Sequence, residues 1–239
     1  MSEIYLVRHG QAGPRDAYDS LSALGRQQAR MLGQYWSSQS IPFAAAYSGE
    51  MSRQVQTAAE TRAGYGADFP AIVADSRWNE FDLARIYREI APQLCAADPQ
   101  FRQQYEAMQQ QAQVTRSDDE TSAHRRWLPC DTTAVNAWIA GGYEFSGESW
   151  AQFYDRIAGC LNNLDGSQSQ DNIAVFTSAT PIAILTALAL EGSSTKLMSL
   201  AGVSLNTSVT ILQLRSGTLR LLSFNGTPHL QSSTLRTLR

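Results

Sequence analysis

Residues 4–10 read IYLVRHG: four apolar residues, then an arginine, a histidine and a glycine. An apolar run this short suits a strand covered on both faces better than an amphipathic helix. The reading places a strand at 3–7 and brings Arg8 and His9 to its carboxyl end. In open α/β sheets ligands bind beyond that end. Outward from this point the same arrangement repeats. A loop carrying Gly10, Gly13, Pro14 and Asp16 leads to Ser22, which is set to cap a helix running to about Trp36. Leu24, Gln28, Met31, Leu32 and Tyr35 stand along it at near-helical spacing. FAAAYS (43–48) reads as a second strand, MSRQVQTAAETRAG (51–64) as a helix closed by Gly64, and AIVAD (71–75) as a third strand. Strand and helix in alternation predict right-handed crossovers. The fold class is therefore α/β and three-layered, a mostly parallel sheet with helices on both faces.

The second half continues the pattern after an interruption. Residues from about 83 to 147 are polar and helical, then charged and loop-like, with too few apolar residues for a core of their own. They read as a helical and loop insertion capping the core of a single domain spanning 1–239. ESWAQFYDRIAGCLNNL (148–164) is amphipathic, with Trp150, Phe153, Tyr154, Ile157 and Leu161 on one side. NIAVFTS (172–178) is a buried strand. TPIAILTALALEG (180–192) is an apolar helix with Thr180 as its cap, Pro181 as its first residue and Gly192 beyond its end. Residues 206–224 alternate as a hairpin turning at Ser216–Gly217.

Composition narrows the function classes. A formal net charge of −3 argues against a general nucleic-acid binder. No apolar run approaches the roughly 20 residues of a membrane helix. The start, MSEIYLVRHG, lacks the basic and apolar regions of a signal peptide, so a cytoplasmic location is expected. Cys95, Cys130 and Cys160 are scattered and odd in number, which favours packed thiols over disulfides. With three dispersed histidines they form no metal-ligand pattern, and neither a phosphate-loop nor a dinucleotide motif is present. No metal or cofactor is expected.

Four groups fall at strand ends: Arg8–His9–Gly10, Ser48 to Arg53, Trp78 to Asp82, and Thr177 to Thr180. A histidine between two arginines has a clear use. Guanidinium groups fork onto phosphate oxygens and disperse the charge of a transferring phosphoryl group, while a neutral imidazole nitrogen can attack phosphorus. Gly10 allows close backbone approach. Glu80 and Asp82 each offer a carboxyl group to protonate a leaving oxygen. Free N–H groups at the helix start at Thr180–Pro181, directly after Ser178 and Ala179, add anion-binding capacity.

LVRHGQA (6–12) resembles the signature of the histidine phosphatase superfamily, which has the phosphoglycerate-mutase-like fold. YDSLSALGRQQA (18–29), YSGEMSRQVQTAAE (47–60), RWNEFD (77–82), GESWAQFYDRI (147–157) and SFNGTPHL (223–230) are similar to later segments of that family, in the same order. The resemblance implies His9 as the phosphorylated nucleophile, Arg8 and Arg53 as phosphate ligands, Glu80 as proton donor with Asp82 its rival, and Gln11 as a minor phosphate or substrate contact. The family carries a second histidine at the end of a late strand, followed by two glycines. Here VFTSATPI (175–182) places Ser178, Ala179 and Thr180 at those positions.

The implied activity is that of a metal-independent phosphatase acting on a small phosphorylated substrate through phosphohistidine. The alternative is a phosphate-ester or phosphoprotein-binding protein with little turnover, because Ser178 brings no charge. A mutase ranks third. His124, Arg125 and Arg126 read as a surface basic cluster before a lid, with Trp127 a further candidate for specificity. His229 reads as structural. The family includes homodimers, and nothing in this sequence marks an interface.

Overall fold

The computed structural model describes residues 2–13, 19–114, 129–164, 172–191, 197–215 and 218–238. In chain order the elements are β1 (Ser2–Arg8), α1 (Ala23–Ser38), β2 (Ala45–Ser48), α2 (Ser52–Tyr65) and β3 (Ile72–Ala74). There follow α3 (Leu83–Glu89), α4 (Ala91–Ala97), α5 (Pro99–Val114), α6 (Pro129–Ala140) and α7 (Trp150–Gly159). The last are β4 (Ile173–Thr177), α8 (Ala179–Ala189), α9 (Leu197–Val203), β5 (Val209–Arg215) and β6 (Thr218–Gly226). They gather into two compact units, one of residues 1–80 with 157–239 and one of residues 81–156.

The first unit holds a six-stranded sheet in the order β3-β2-β4-β1-β5-β6. β3, β2, β4 and β1 run parallel, and β5 and β6 add an antiparallel edge. This is the α/β sheet expected from the alternation of strands and helices. All five residues of β4 are buried, as are Ile4 to Arg8 of β1, which is why these central strands read as unbroken apolar runs. Tyr5, Val7, Ala174 and Phe176 pack with Trp36, Phe43 and Phe69 into one core cluster. Within it Tyr5 meets Phe43 edge-on at 5.2 Å, and Trp36 lies parallel to Phe69 at 6.3 Å. α8 is apolar all round and buried from Thr180 to Ala187, packing on β1, β5, β6 and α9.

α1 and α2 approach through glycines. A Cβ at Gly33 would lie 2.0 Å from the Thr61 carbonyl oxygen, and one at Gly64 would lie 2.2 Å from that of Arg30. Gly64 therefore does not close its helix, as the sequence suggested. It lies inside α2 as a contact point, and Gly66, at φ 113°, ends the helix. α8 also begins earlier than expected. Its cap is Ser178, and Pro181 is its third residue, a place where the missing N–H costs no intrahelical bond. Gly192 and the turn at Ser216–Gly217 lie outside the described residues, as do Pro14, Asp16, Lys196, His124, Arg125, Arg126 and Trp127.

The second unit is helical and contains the stretch read as an insertion. It draws aromatic residues from beyond that stretch. Phe81 before it, and Trp150 and Phe153 after it, join Trp138 at centroid distances of 5.0 to 5.8 Å. Those flanking residues supply the apolar surface that 83–147 lacks. Trp138 Nε1 donates to the Glu148 carbonyl at 3.0 Å. Cys130 and Cys160 are buried and Cys95 half-buried, all as free thiols. Among the described residues no helix is long and apolar enough to cross a membrane.

Candidate active site

β1 and β4 are adjacent and parallel, so their carboxyl ends lie side by side, with Arg8 in register with Thr177. The chain then turns out of both strands together. The His9 N–H donates to the Thr177 carbonyl at 2.9 Å, which sets Ser178 next to the nucleophile candidate. His9 is 2% exposed. Its Nδ1 stands 2.8 Å from the Gly10 carbonyl oxygen. A carbonyl can only accept, so Nδ1 carries the proton and Nε2 keeps its lone pair. Burial first, then the charges of Arg53 and Arg8, push the imidazole pKa well below its ordinary 6.5. The ring is neutral where most histidines begin to protonate.

Each arginine is tethered through Nη1. Arg8 donates there to the Ser204 carbonyl and, at 2.9 Å, to that of Leu238. Arg53 Nη1 meets Asp19 Oδ1 at 3.0 Å. The Asp19 carboxylate also accepts from the Ser52 N–H at 3.1 Å and the Arg53 N–H at 3.4 Å. It thereby caps α2, a task the Met51 side chain cannot perform. Thr57, one turn beyond Arg53, donates to the Arg53 carbonyl and accepts from the Gly10 N–H at 2.9 Å. Loop and helix are thus tied across the site.

Ser178, 1% exposed, accepts from Gln54 Nε2 at 2.9 Å. Ala179 is the first residue of α8 and half-buried. Glu80 accepts at Oε2 from the Thr180 N–H at 3.1 Å, so its carboxyl group rests on the start of the same helix. Asp82 is spent elsewhere, as the cap of α3 receiving the Arg85 N–H at 2.9 Å. Gln11 is buried, its Oε1 accepting from the Ser22 hydroxyl at 2.7 Å and its backbone N–H donating to Gln28 at 2.9 Å. The first unit therefore brings Arg8, His9, Ser178 and Ala179 to adjoining strand ends, with Arg53 acting on His9 and Glu80 bound to the helix start. Gln11 is engaged in scaffolding.

Several supporting residues were not foreseen. Asn206 Nδ2 donates to the His9 carbonyl at 3.1 Å, and its Oδ1 accepts from Thr237 at 2.8 Å. Gln28, fully buried, donates to the Leu235 carbonyl at 2.7 Å. The segment 235–238 is thus fastened to the histidine loop at three points. One signal was available. Arg53, Thr57 and Thr61 repeat every fourth residue, and with Gln54 they make the buried side of α2 polar. Such a helix face has polar business inside the protein.

His229 is structural, as expected. Thr207 Oγ1 gives its proton to the Asn206 carbonyl, so the 2.9 Å contact between Thr207 Oγ1 and His229 Nε2 makes Nε2 the donor. Nδ1 is buried with no partner among the described residues, and burial pushes the pKa down to about 4. The unfolded chain then takes the proton first as pH falls. The contribution of His229 to stability is complete above pH 6.5 and falls by about 3 kcal/mol toward pH 4, with His9 acting in the same direction. Urea midpoints at pH 7.5 and 4.5 should diverge less in His229→Gln than in the wild type. Equal divergence would remove His229 from the account.

No group of three or more His, Cys, Asp or Glu among the described residues is arranged to hold a metal ion. A family model described as histidine phosphatase superfamily, branch 1, matches residues 4–130 and 116–227. No curated protein sequence matches the chain. Among solved structures, a mutant phosphoserine phosphatase from Entamoeba histolytica in complex with phosphoserine is 19% identical, with 96% of this chain and 100% of that chain covered at a TM-score of 0.60. Bacillus stearothermophilus YhfR is 18% identical, with 97% and 100% covered at a TM-score of 0.65. A mycobacterial glucosyl-3-phosphoglycerate phosphatase in complex with inorganic phosphate is 19% identical, with 95% and 98% covered at a TM-score of 0.60. At these identities the structures speak for a shared fold. The family model runs from the first strand to the last, and on that match the chain belongs to branch 1 of the histidine phosphatase superfamily.

Proposed function

We infer that the chain is a phosphatase that moves the phosphoryl group of a small phosphate monoester onto His9 and then to water. The observation that carries this reading is the state of His9: buried, neutral, with Nδ1 committed to Gly10 and two guanidinium groups acting on the ring. Such an imidazole has an available lone pair beside fixed positive charge, the combination that transfer through phosphohistidine requires. The Nε2 lone pair attacks phosphorus, the ester P–O bond breaks, and the leaving oxygen takes a proton from the Glu80 carboxyl group. Glu80 then takes a proton from water as the water oxygen attacks phosphohistidine, and the P–N bond breaks to restore the neutral ring. Arg8 and Arg53 supply the charge that binds and stabilises the group in flight, so no metal is invoked. Solved structures of the same fold hold phosphoserine, 3-phosphoglyceric acid or inorganic phosphate, the ligand class proposed here.

In this reading Ser178 replaces the family's second histidine. It supplies a hydroxyl in place of a potential cation, which favours a second reading, a binder of phosphate esters or phosphoproteins with slow turnover. Hydrolysis of para-nitrophenyl phosphate in the presence of EDTA tests the first reading. It predicts turnover together with an acid-labile, alkali-stable phosphoryl label on the protein. Phosphate binding without turnover on this and other monoesters would establish the second reading instead.

A further inference from the structure

Gln54 is fully buried one residue beyond Arg53, and its hydrogen bonds assign every atom of its amide. Oε1 accepts from the Met51 N–H at 3.3 Å, and a backbone N–H can only donate. Nε2 donates to the Trp78 carbonyl at 3.3 Å, which can only accept. Its other hydrogen goes to Ser178 Oγ at 2.9 Å. Ser178 is therefore the acceptor in that bond, and its own proton is directed elsewhere. The hydroxyl does not serve α8, of which Ser178 is the cap, since it makes no capping bond. It follows directly on Thr177, whose carbonyl receives the His9 N–H. The amide is closely packed: a Cβ at Gly49 would lie 2.0 Å from Gln54 Oε1.

The geometry points to Gln54 as a positioning residue that aims the Ser178 hydroxyl proton at a phosphoryl oxygen, the two together serving where a second imidazole is lacking. This rests on the reading of the site as one that binds and transfers phosphoryl groups. It has a steric corollary. A ring at position 178 would run into the Gln54 amide, so Ser178→His alone does not improve the enzyme, whereas Ser178→His with Gln54→Ala makes room.

The test is a double-mutant cycle on para-nitrophenyl phosphate with Ser178→Ala, Gln54→Met and the pair. Each single change is expected to lower kcat on the order of tenfold with KM little altered, and the pair to be no worse than either. The Trp78 carbonyl keeps the Thr177 hydroxyl as a donor at 2.6 Å, so Gln54→Met leaves no orphan there. Ser178→Thr, which retains the hydroxyl, should stay within a few-fold of wild type. Multiplying losses in the pair, a Ser178→Ala variant as fast as the wild type, or Ser178→His faster than its combination with Gln54→Ala would each overturn the proposal. Calorimetric titration of the same variants with inorganic phosphate separates the two levels. If the wild type binds phosphate without turnover, the phosphatase reading fails, and equal, non-additive weakening by the two single changes still supports the positioning role. If the wild type does not bind phosphate, both fail.

Discussion

Alanine in place of His9 should lower turnover of a phosphate monoester on the order of 10⁴- to 10⁶-fold while the protein stays folded. The size follows from losing the covalent route. Without Nε2, water must attack the ester directly, helped only by charge and position. Binding should suffer less than chemistry. His9 is neutral in the unliganded protein, so it contributes no charge to anion binding, and Arg8, Arg53 and the start of α8 remain. The alanine variant should therefore hold inorganic phosphate with an affinity near that of the wild type. Single-turnover kinetics with a labelled substrate would check both claims together. Activity within tenfold of wild type would remove His9 as nucleophile. Lost phosphate binding would show that the ring is a ligand before it is a reactant. The neutral state has its own readout. Imidazole resonances of His9 should stay in the unprotonated form well below pH 6.5, because burial and two guanidinium charges oppose protonation.

The strand ends were legible because their signal is local. IYLVR and NIAVFT are continuous apolar runs, and a central parallel strand needs little else to be recognised. Arg8, His9 and Ser178 followed from where those runs stop. The residues that fix the site were not legible, for a physical reason. Ser178 and Gln54 are joined across 124 positions, His9 and Asn206 across 197, and Arg8 and Leu238 across 230. No periodicity in sequence encodes such bonds. Helix boundaries failed where two roles compete for one residue type. Gly64 looks like a terminator, yet it is the point where α2 touches the Arg30 backbone, while Gly66 has the left-handed backbone that ends the helix. Thr180–Pro181 looked like a helix start by composition, but the turn begins at Ser178, as the chain leaves β4 beside His9. Glu80 and Asp82 are both carboxylates following the third strand, and only the family resemblance ranked Glu80 first. Their contacts differ: one carboxylate meets the start of α8 and the other caps α3.

Methionine in place of Arg53 should lower kcat/KM about 10²- to 10³-fold, the scale of one lost charge-stabilising donor in a water-poor site. The fold should tolerate the change. Asp19 loses one partner but keeps the Ser52 N–H, and its side chain is 57% exposed, so water can take the vacated oxygen. A second consequence follows from the same charge. Arg53 acts on His9 more strongly than Arg8 does, and both depress the imidazole pKa, so neutralising residue 53 raises it. The His9 resonances should then titrate at higher pH in Arg53→Met than in the wild type. Arg53→Lys separates the two effects. It restores a positive charge and with it most of the depressed pKa, but an ammonium group cannot reproduce the planar fork that grips two phosphate oxygens. Its activity should stay well below that of the wild type. If lysine restores both pKa and rate, Arg53 acts as a point charge alone. If Arg53→Met leaves the pKa unchanged while the rate falls, the guanidinium engages the substrate without acting on the ring, and the neutrality of His9 is due to burial and Arg8.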